Sequence, residues 1–325
     1  MTEPTEERPL VTFALFAYNQ ERFIREAVEG ALAQTYSPLQ VILSDDCSSD
    51  RTFEIMQEMV AEYSGPHEIL LNRNERNLGI GGHVNRLMEL AKGELIVGAA
   101  GDDISESERT KVTVTTWKSE DQICSIHSLV KCIDENSIEC GFIKNPYINE
   151  FDNPFSVVNK MAWVTGSSHA WSRKVFNNFG KLSDDIVNED MVIALRSSMT
   201  GKIRYIDQPL VRYRVNVGIS SENIKSSILR IKDIPYKQAK RKLAVLKQYK
   251  KDREKIAYND QLVDLINKKI IEEEINIKFI ESGGKLRLVL RGIRCGINWL
   301  PLFKNYLKHK LPTGVLLLNY RLRGL

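Results

Sequence analysis

Two pairs of adjacent aspartates, Asp45-Asp46 in SDDCSSDRT and Asp102-Asp103 in GAAGDD, each stand at the end of a short apolar run. Carboxylates side by side repel one another once water is withdrawn. Such groups gathered at one place therefore hold a divalent cation, accept hydrogen bonds from a polar ligand, or do both. Either pair alone reads as a solvated turn with a helix-capping aspartate; two pairs at strand ends read as a site. A third acidic step, Asn188-Glu189-Asp190 ahead of MVIALRSS, reads on its own as a helix start, because asparagine caps and acids favour the first turn.

The elements that must position these groups follow from the apolar pattern. VTFALFA, LQVILS, HEILLN and ELIVGAA are short runs with strand character, and each of the first three is followed by apolar residues at helical spacing. Phe23, Ile24, Ala27, Val28, Ala31 and Leu32 mark the first helix; Ser49-Asp50 is expected to cap the second, which carries Phe53, Ile55, Met56 and Met59. The third helix, GGHVNRLMELAKG, is expected to close at Gly93. Strands alternating with helices predict an α/β fold, a mainly parallel sheet with helices on both faces. Ligands in such sheets bind at the carboxyl ends of the strands. Tyr18-Asn19, Asp45-Asp46 and Asp102-Asp103 then share one edge.

Three segments in this order, VTFALFAYNQERFIREAVEGALAQTYSPLQVILSDDCSSDRT, NLGIGGHVNRLMELAKGELIVGAAGDD and NEDMVIALRSSMTGKIRYIDQPLVRYR, resemble the successive motifs of family 2 glycosyltransferases of the Rossmann-like GT-A fold. The resemblance spans roughly residues 9 to 220. It implies an inverting transfer of sugar from a UDP- or dTDP-sugar to a hydroxyl of a saccharide acceptor, carried by a lipid in O-antigen (lipopolysaccharide) or capsule synthesis. Under it, Phe16, Tyr18 and Asn19 lie along base and ribose, Asp46 accepts a hydrogen bond from the pyrimidine ring N–H, and Asp45 sets that loop. Asn77 and Gly79 join the nucleotide-sugar contacts. Asp102 and Asp103 fall on the motif that holds the ribose and Mg2+ or Mn2+. Asp190 matches the general base, with Glu189 supporting it. Arg214, in Tyr213-Arg214, matches a basic group that neutralises the diphosphate. Trp163, Ser168 and His169, with Ser167 and Trp171 nearby, are candidates to touch donor or acceptor sugar.

That chemistry has physical requirements. A departing nucleoside diphosphate develops charge that a divalent ion bridging its phosphates stabilises, and oxygen ligands suit such an ion. The attacking hydroxyl must lose its proton, so a carboxylate within hydrogen-bond reach contributes roughly 10²–10⁴ in rate. The sequence departs from the family pattern in three places. Ala100 replaces the first aspartate of Asp-x-Asp, Asn216 replaces a common histidine, and Cys47 replaces the commoner glycine. The last leads us to expect that the loop does not require a positive φ. A second reading therefore stays open, a non-catalytic nucleotide-sugar binder or scaffold with a degenerate metal site.

Composition bounds the rest. The 325 residues, 42% hydrophobic and 27% charged, suit a globular catalytic domain at 1–225 (donor half about 1–105, acceptor half about 106–225) and a helical region at 226–325. Leu243, Leu246 and Tyr249, then Leu262, Leu265, Ile266 and Ile270, predict two long amphipathic helices that pack on the catalytic domain or on a second copy of the chain, or present the tail to a membrane. From Gly283 onward there are nine Lys/Arg and no acid, interleaved with Trp299, Phe303 and Tyr306, which suits an anionic membrane surface or a packed helical subdomain. An acidic start without a signal pattern leads to the expectation of a cytoplasmic, peripherally membrane-associated protein. No aromatic-basic repeat supports nucleic acid. Nor does GIGGHV make a dinucleotide fingerprint, since Val84 stands where the third glycine belongs. The five cysteines lack CxxC spacing and are expected as free thiols; the even spacing of Cys124, Cys132 and Cys140 is weak grounds for a metal site.

Overall fold

The computed structural model describes residues 8–215, 217, 234–256 and 259–282. They belong to two compact units, Met1–Asn216 and Val217–Leu325, whereas the sequence reading drew the boundary at 225/226.

In the first unit, β1 (Val11–Ala17), β2 (Leu39–Asp45), β3 (Glu68–Arg73) and β4 (Leu95–Ala100) form a parallel block in the order β3-β2-β1-β4. The helices α1 (Ile24–Leu32), α2 (Thr52–Ala61) and α3 (Gly79–Leu90) make the crossovers. Every residue of β2 is buried, as expected of a parallel strand covered on both faces. Val11, Phe13, Leu15, Val41, Leu43 and Val97 form one core with Ile24, Val28 and Ala31 of α1. Register matters most for function. Ala17 is opposite Asp45 and Phe16 is opposite Ala100, so the three strands finish flush and their following loops meet.

The second half of the sheet is less parallel than the strand-helix rhythm predicts. It comprises β5 (Ile104–Ser105), α4 (Arg109–Lys118), β6 (Ile123–Ile133), β7 (Glu139–Ile143), α5 (Pro154–Lys160), β8 (Ala170–Ser172), α6 (Arg173–Phe179), α7 (Glu189–Thr200) and β9 (Lys202–Arg214). The order continues β4-β8-β6-β9-β5, with β8 antiparallel to β4 and to β6, β9 parallel to β6, and β5 antiparallel to β9. Gly93 does not close α3, which ends at Leu90. A Cβ at Gly93 would stand 2.4 Å from the Thr12 nitrogen, so this glycine permits the chain to cross the start of β1.

In the second unit, α8 (Ile234–Arg253) packs on α9 (Asp260–Glu281) through Ala239, Ile277 and Ile280, flanked by Tyr236 and Leu243. These are the two long amphipathic helices of the sequence reading. Asn259 caps α9, accepting from the Gln261 N–H at 2.9 Å. The basic tail from Gly283, with Trp299, Phe303 and Tyr306, and Asn216 lie outside the described residues. No helix among the described residues is long and apolar enough to cross a membrane.

Candidate functional site

The site is assembled from the loops beyond the flush strand ends. The Asp46 N–H donates to the Ala17 carbonyl (2.9 Å), tying β2 to β1. Asn19, at φ 52°, accepts from the Ser49 N–H (2.9 Å), and its own N–H donates to the Ser48 hydroxyl (2.8 Å). Asp45 is fully buried, takes hydrogen bonds from the Ser48 N–H (3.0 Å) and hydroxyl, and lies 3.4 Å from Arg73 Nε. Asp46 accepts at Oδ1 from Asn74 (2.8 Å) and the Leu78 N–H (2.9 Å), and at Oδ2 from the Gly79 N–H (3.0 Å). A carboxylate has about four acceptor positions, which leaves one on Oδ2, on a side chain that is only 3% exposed before a ligand arrives. Asn77 shares the Gly79 N–H (2.9 Å), and Gly79 itself holds φ +69° with open space where a side chain would stand. Asp50, next along the loop, accepts from the Thr52 N–H (3.0 Å) at the start of α2.

Cys47 overturns an expectation. It adopts φ 63°, the left-handed conformation that a cysteine in place of glycine argues against. Asp45 and Asp46 on one side, and Ser48 bound to Asp45 and Asn19 on the other, impose the turn; an L residue there bears a strain of about 1–3 kcal/mol.

Behind this loop lies a buried polar network that sequence patterning did not reveal. His83 Nε2 is 2.7 Å from the Ser44 hydroxyl, which accepts from Asn72 (2.9 Å); Asn72 also donates to Asn74 (3.0 Å), and Asn74 to Asp46. Burial pushes the His83 pKa down to about 4 despite the opposing charge of Asp46, so the ring is neutral at physiological pH. Phe16 stands edge-on to it, 5.3 Å between ring centres. Tyr18, by contrast, is exposed.

Gly101 carries the next loop into place. Its N–H donates to the Phe16 carbonyl (2.8 Å), and a Cβ there would fall 2.5 Å from Gln20 Oε1 and 2.9 Å from the Ala17 Cβ. This close approach sets Asp102 beside the loop after β1. Asp102 is half-buried, and burial raises its pKa. Asp103 is placed differently from its expected role as second metal ligand. It is 4% exposed, accepts from the Arg214 N–H at 2.8 Å, and has its pKa raised well above the ordinary value by burial and then by the Asp102 charge. Among the described residues no group of three or more metal-ligating side chains occurs. Of the two carboxylates, Asp102 is the one that remains open to a ligand or cation.

Arg214 also departs from expectation. Its side chain is 1% exposed. It donates to the Asp102 carbonyl (3.0 Å), the Asp134 carbonyl (2.9 Å), the Ser137 hydroxyl (3.1 Å) and Glu26 (2.6 Å), and lies over the Phe23 ring. A guanidinium so occupied pins the Asp102-Asp103 turn from beneath and is not presented to a diphosphate. Arg109, which no spacing signal marked, is its buried companion. It donates to Ser105 (2.8 Å) and the Gly98 carbonyl (2.5 Å), and its pKa falls to about 9 by burial, opposed by Asp103.

Glu189 and Asp190 open α7. Burial, and then the Asp190 charge, raises the Glu189 pKa to about 8; burial raises that of Asp190 to about 6, opposed by the Met191 N–H at 2.9 Å. The short 3-10 turn Gly166–Ser168 lies against the pair, since a Cβ on Gly166 would be 3.7 Å from the Asp190 Cβ and 3.8 Å from Glu189 Oε1. The same turn runs beside β4, where the His169 carbonyl accepts from the Gly98 N–H (2.9 Å). The approach to α7 is held by α3. The Gly81 N–H donates to the Ile186 carbonyl (3.0 Å), and Asn85 exchanges two hydrogen bonds with the Leu182 backbone (2.8 and 2.9 Å). The glycines of GIGG therefore serve loop and helix packing. One helix, begun at the Gly79 that Asp46 holds, braces the segment ending in Glu189-Asp190.

The acceptor candidates divide. Trp163 is half-buried, edge-on to Tyr147. Ser168 and His169 are interior, which corrects their proposed contact with sugar. The Ser168 hydroxyl sits between the Ser128 and Thr165 carbonyls and accepts from the Ser128 N–H (2.9 Å). His169 is 2% exposed, bonded to Ser125 (2.7 Å), and burial holds its pKa well below the ordinary value. Trp171 is buried against Gly98, while the enclosed Ser167 hydroxyl has no hydrogen-bond partner among the described residues. Cys47, Cys124, Cys132 and Cys140 are free thiols.

Known proteins share this architecture. Residues 12–180 match the family described as Glycosyl transferase family 2. The chain is 27% identical over 202 residues to the chondroitin synthase of Escherichia coli, covering 62% of this chain but only 28% of the synthase. It is 30% identical over 228 residues to an uncharacterized glycosyltransferase of Haemophilus influenzae, covering 65% and 67% of the two chains. Its fold is similar to that of S. aureus TarS 1-349 in complex with UDP (TM-score 0.55, 13% identity, 92% and 80% of the chains). It is equally similar to that of the mannosyltransferase PcManGT of Pyrobaculum calidifontis in complex with GDP-Man and Mn2+ (TM-score 0.55, 17% identity, 96% and 79%). With the family match extending over more than half its length and the strand order and loops described above, the chain belongs to glycosyl transferase family 2 and has the α/β architecture of GT-A glycosyltransferases.

Proposed function

We propose that this protein is an inverting glycosyltransferase that moves a sugar from a nucleoside-diphosphate sugar, with uracil or thymine as its base, to a saccharide hydroxyl. The observation that carries the reading is Asp190. It is a recessed carboxylate with a pKa near 6, at the head of α7 and against the Gly166 turn, where it is ionised at neutral pH yet basic enough to take a proton. The donor lies across the flush strand ends: the base toward the free Oδ2 position of Asp46, the ribose along Tyr18-Asn19, the diphosphate toward Asp102. Mg2+ or Mn2+ at Asp102 would neutralise charge developing on the departing diphosphate. Asp190 removes the proton of the attacking hydroxyl, while protonated Glu189 keeps a second charge from its side. Attack on the face opposite the leaving group inverts the anomeric carbon. The chondroitin synthase likeness and the UDP and GDP-Man complexes of the fold neighbours support a nucleotide-sugar donor. A lipid-linked acceptor in O-antigen or capsule synthesis, with the tail from Gly283 on the inner face of the membrane, completes the proposal.

The inward Asp103 and Ala100 favour a second reading, a nucleotide-sugar binder without turnover. Release of nucleoside diphosphate from a panel of UDP-, dTDP- and GDP-sugars with Mn2+ separates the two. Turnover is expected to fall by roughly 10²–10⁴ in Asp190→Asn. Equal turnover in that variant removes Asp190 from the chemistry, and binding without any turnover selects the second reading.

A further inference from the structure

Between Ile234 and Lys251, α8 carries seven Lys/Arg and no Asp or Glu. Its buried side is apolar or internally paired, with Ala239, Val245, Leu246 and Tyr249 covered and Gln248 donating to Asp252 (2.7 Å). Lys237, Lys240, Lys247 and Lys251 are all exposed. At about 100° per residue they fall within an arc of about 80°, a stripe about 21 Å long with Ala244 at its middle. Lys240 lies over the Tyr236 ring at 4.4 Å. Among the described residues an ion pair of α8 runs from Arg253, off the stripe, to Asp260; none of the four stripe lysines makes an ion pair there, though Lys240 is bonded to Tyr236, whose hydroxyl donates to Glu281 (2.9 Å). The exposed face of α9 is mixed in sign, with Asp260, Asp264, Lys268, Glu274 and Lys278. Lys242 and Lys250 are exposed as well but fall off this line, so positive charge is spread over the exposed side of α8 and is densest along the stripe.

We propose that α8 docks lengthwise on an anionic lipid bilayer, its four stripe lysines over lipid phosphates. A straight stripe on a rigid helix fits a flat surface of closely spaced negative charges, and the long, flexible lysine side chains reach it without a dedicated pocket. The stripe has no aromatic residue other than the neighbouring Tyr236, so base stacking of the kind that holds single-stranded nucleic acid is not provided. This docking is separate from the basic tail after Gly283, and because it is read by binding alone it stands or falls apart from the catalytic reading.

The test is sedimentation of the full chain with vesicles of phosphatidylcholine alone or with one third phosphatidylglycerol, at low and high salt. Binding should require phosphatidylglycerol and weaken with salt. At about fivefold in affinity per lysine near an anionic surface, Lys237→Gln, Lys240→Gln, Lys247→Gln and Lys251→Gln together should weaken it by at least about 100-fold. The same four positions changed to Arg should retain it. A control that changes Lys92, Lys111, Lys144 and Lys181 to Gln, all exposed and off the stripe, should lose less than about tenfold. Circular dichroism and the melting temperature verify folding of each variant. The proposal is overturned by a stripe variant that binds like the parent, by a control that loses as much as the stripe variant, or by binding that ignores lipid charge. Preferential binding to an oligonucleotide over the anionic vesicles overturns it as well.

Discussion

The Glu189-Asp190 pair makes the sharpest prediction, because its two protonations are separated by environment. Burial raises Glu189 from 4.5 to about 8 and Asp190 from 3.8 to about 6. Both folded pKa values exceed the unfolded ones, so the pair's stabilising protonation is complete below about pH 4 and is lost as pH rises through 6 and then 8. For Glu189, at about 1.4 kcal/mol per pH unit, the loss is at most about 5 kcal/mol; partial solvent access at this half-buried site reduces it to about 2–3 kcal/mol. Glu189→Gln keeps shape and hydrogen bonding but cannot ionise. Its melting temperature should match the parent at pH 5 and exceed it by about 5–10 °C at pH 9. Thermal unfolding across that range, followed by intrinsic fluorescence, measures the difference. In parallel, kcat/KM of both proteins should rise tenfold per pH unit up to about 6, since Asp190 titrates while Glu189 is still neutral. Parent and variant with the same pH dependence of stability would refute burial of an ionisable Glu189, and an acid limb far from pH 6 would refute Asp190 as the base.

Other perturbations report on the scaffold. Cys47→Gly should relieve the strain at φ 63°, offset in part by unfolded-chain entropy, for a net gain of about 0.5–1 kcal/mol and a melting temperature about 2 °C higher; a lower melting temperature contradicts it. Gly81→Ala places a Cβ 2.8 Å from the Ser183 carbonyl and 3.0 Å from that of Ile186, so the segment leading to Asp190 must shift. Steady-state kinetics should show kcat falling by up to about 10²-fold with donor KM little changed, and an unaltered kcat removes the brace. Arg214→Met deprives the Asp102 and Asp134 carbonyls and Glu26 of their donor, and should destabilise by about 3–5 kcal/mol in urea unfolding. A loss below about 1 kcal/mol would return Arg214 to the role of a mobile phosphate contact.

Much of the donor half was legible because its signals are local. The span VTFALFA coincides with β1, and α1, α2 and the start of β2 follow from apolar spacing over a few residues. Ser49-Asp50 was legible as the entry to α2 for the same reason, although the cap position itself is Arg51, which makes no side-chain cap bond, and Asp50 reaches the Thr52 N–H from one residue further out. The glycines were not. Gly93 and Gly81 serve close approaches to Thr12 and Ser183, which are remote in sequence and leave no periodic trace. Cys47 misled because residue preference describes average strain, whereas neighbouring hydrogen bonds can impose a strained φ.

By itself the sequence determined the strand-helix order, the family and the places where carboxylates gather, since each depends on neighbours within one element or on motif order along the chain. Tertiary structure decided the environment of each of those carboxylates. Asp102 and Asp103 are adjacent and chemically identical, yet one is half-exposed and the other is turned to the backbone N–H of Arg214, 111 residues away, on a strand brought beside it by β5-β9 pairing. Asp190 and Glu189 acquire raised pKa values because the folded chain buries both, and the Asp190 charge raises Glu189 further. Burial and long-range pairing are properties of the assembled sheet, and a carboxylate's reactivity is set by them more than by its place in a motif.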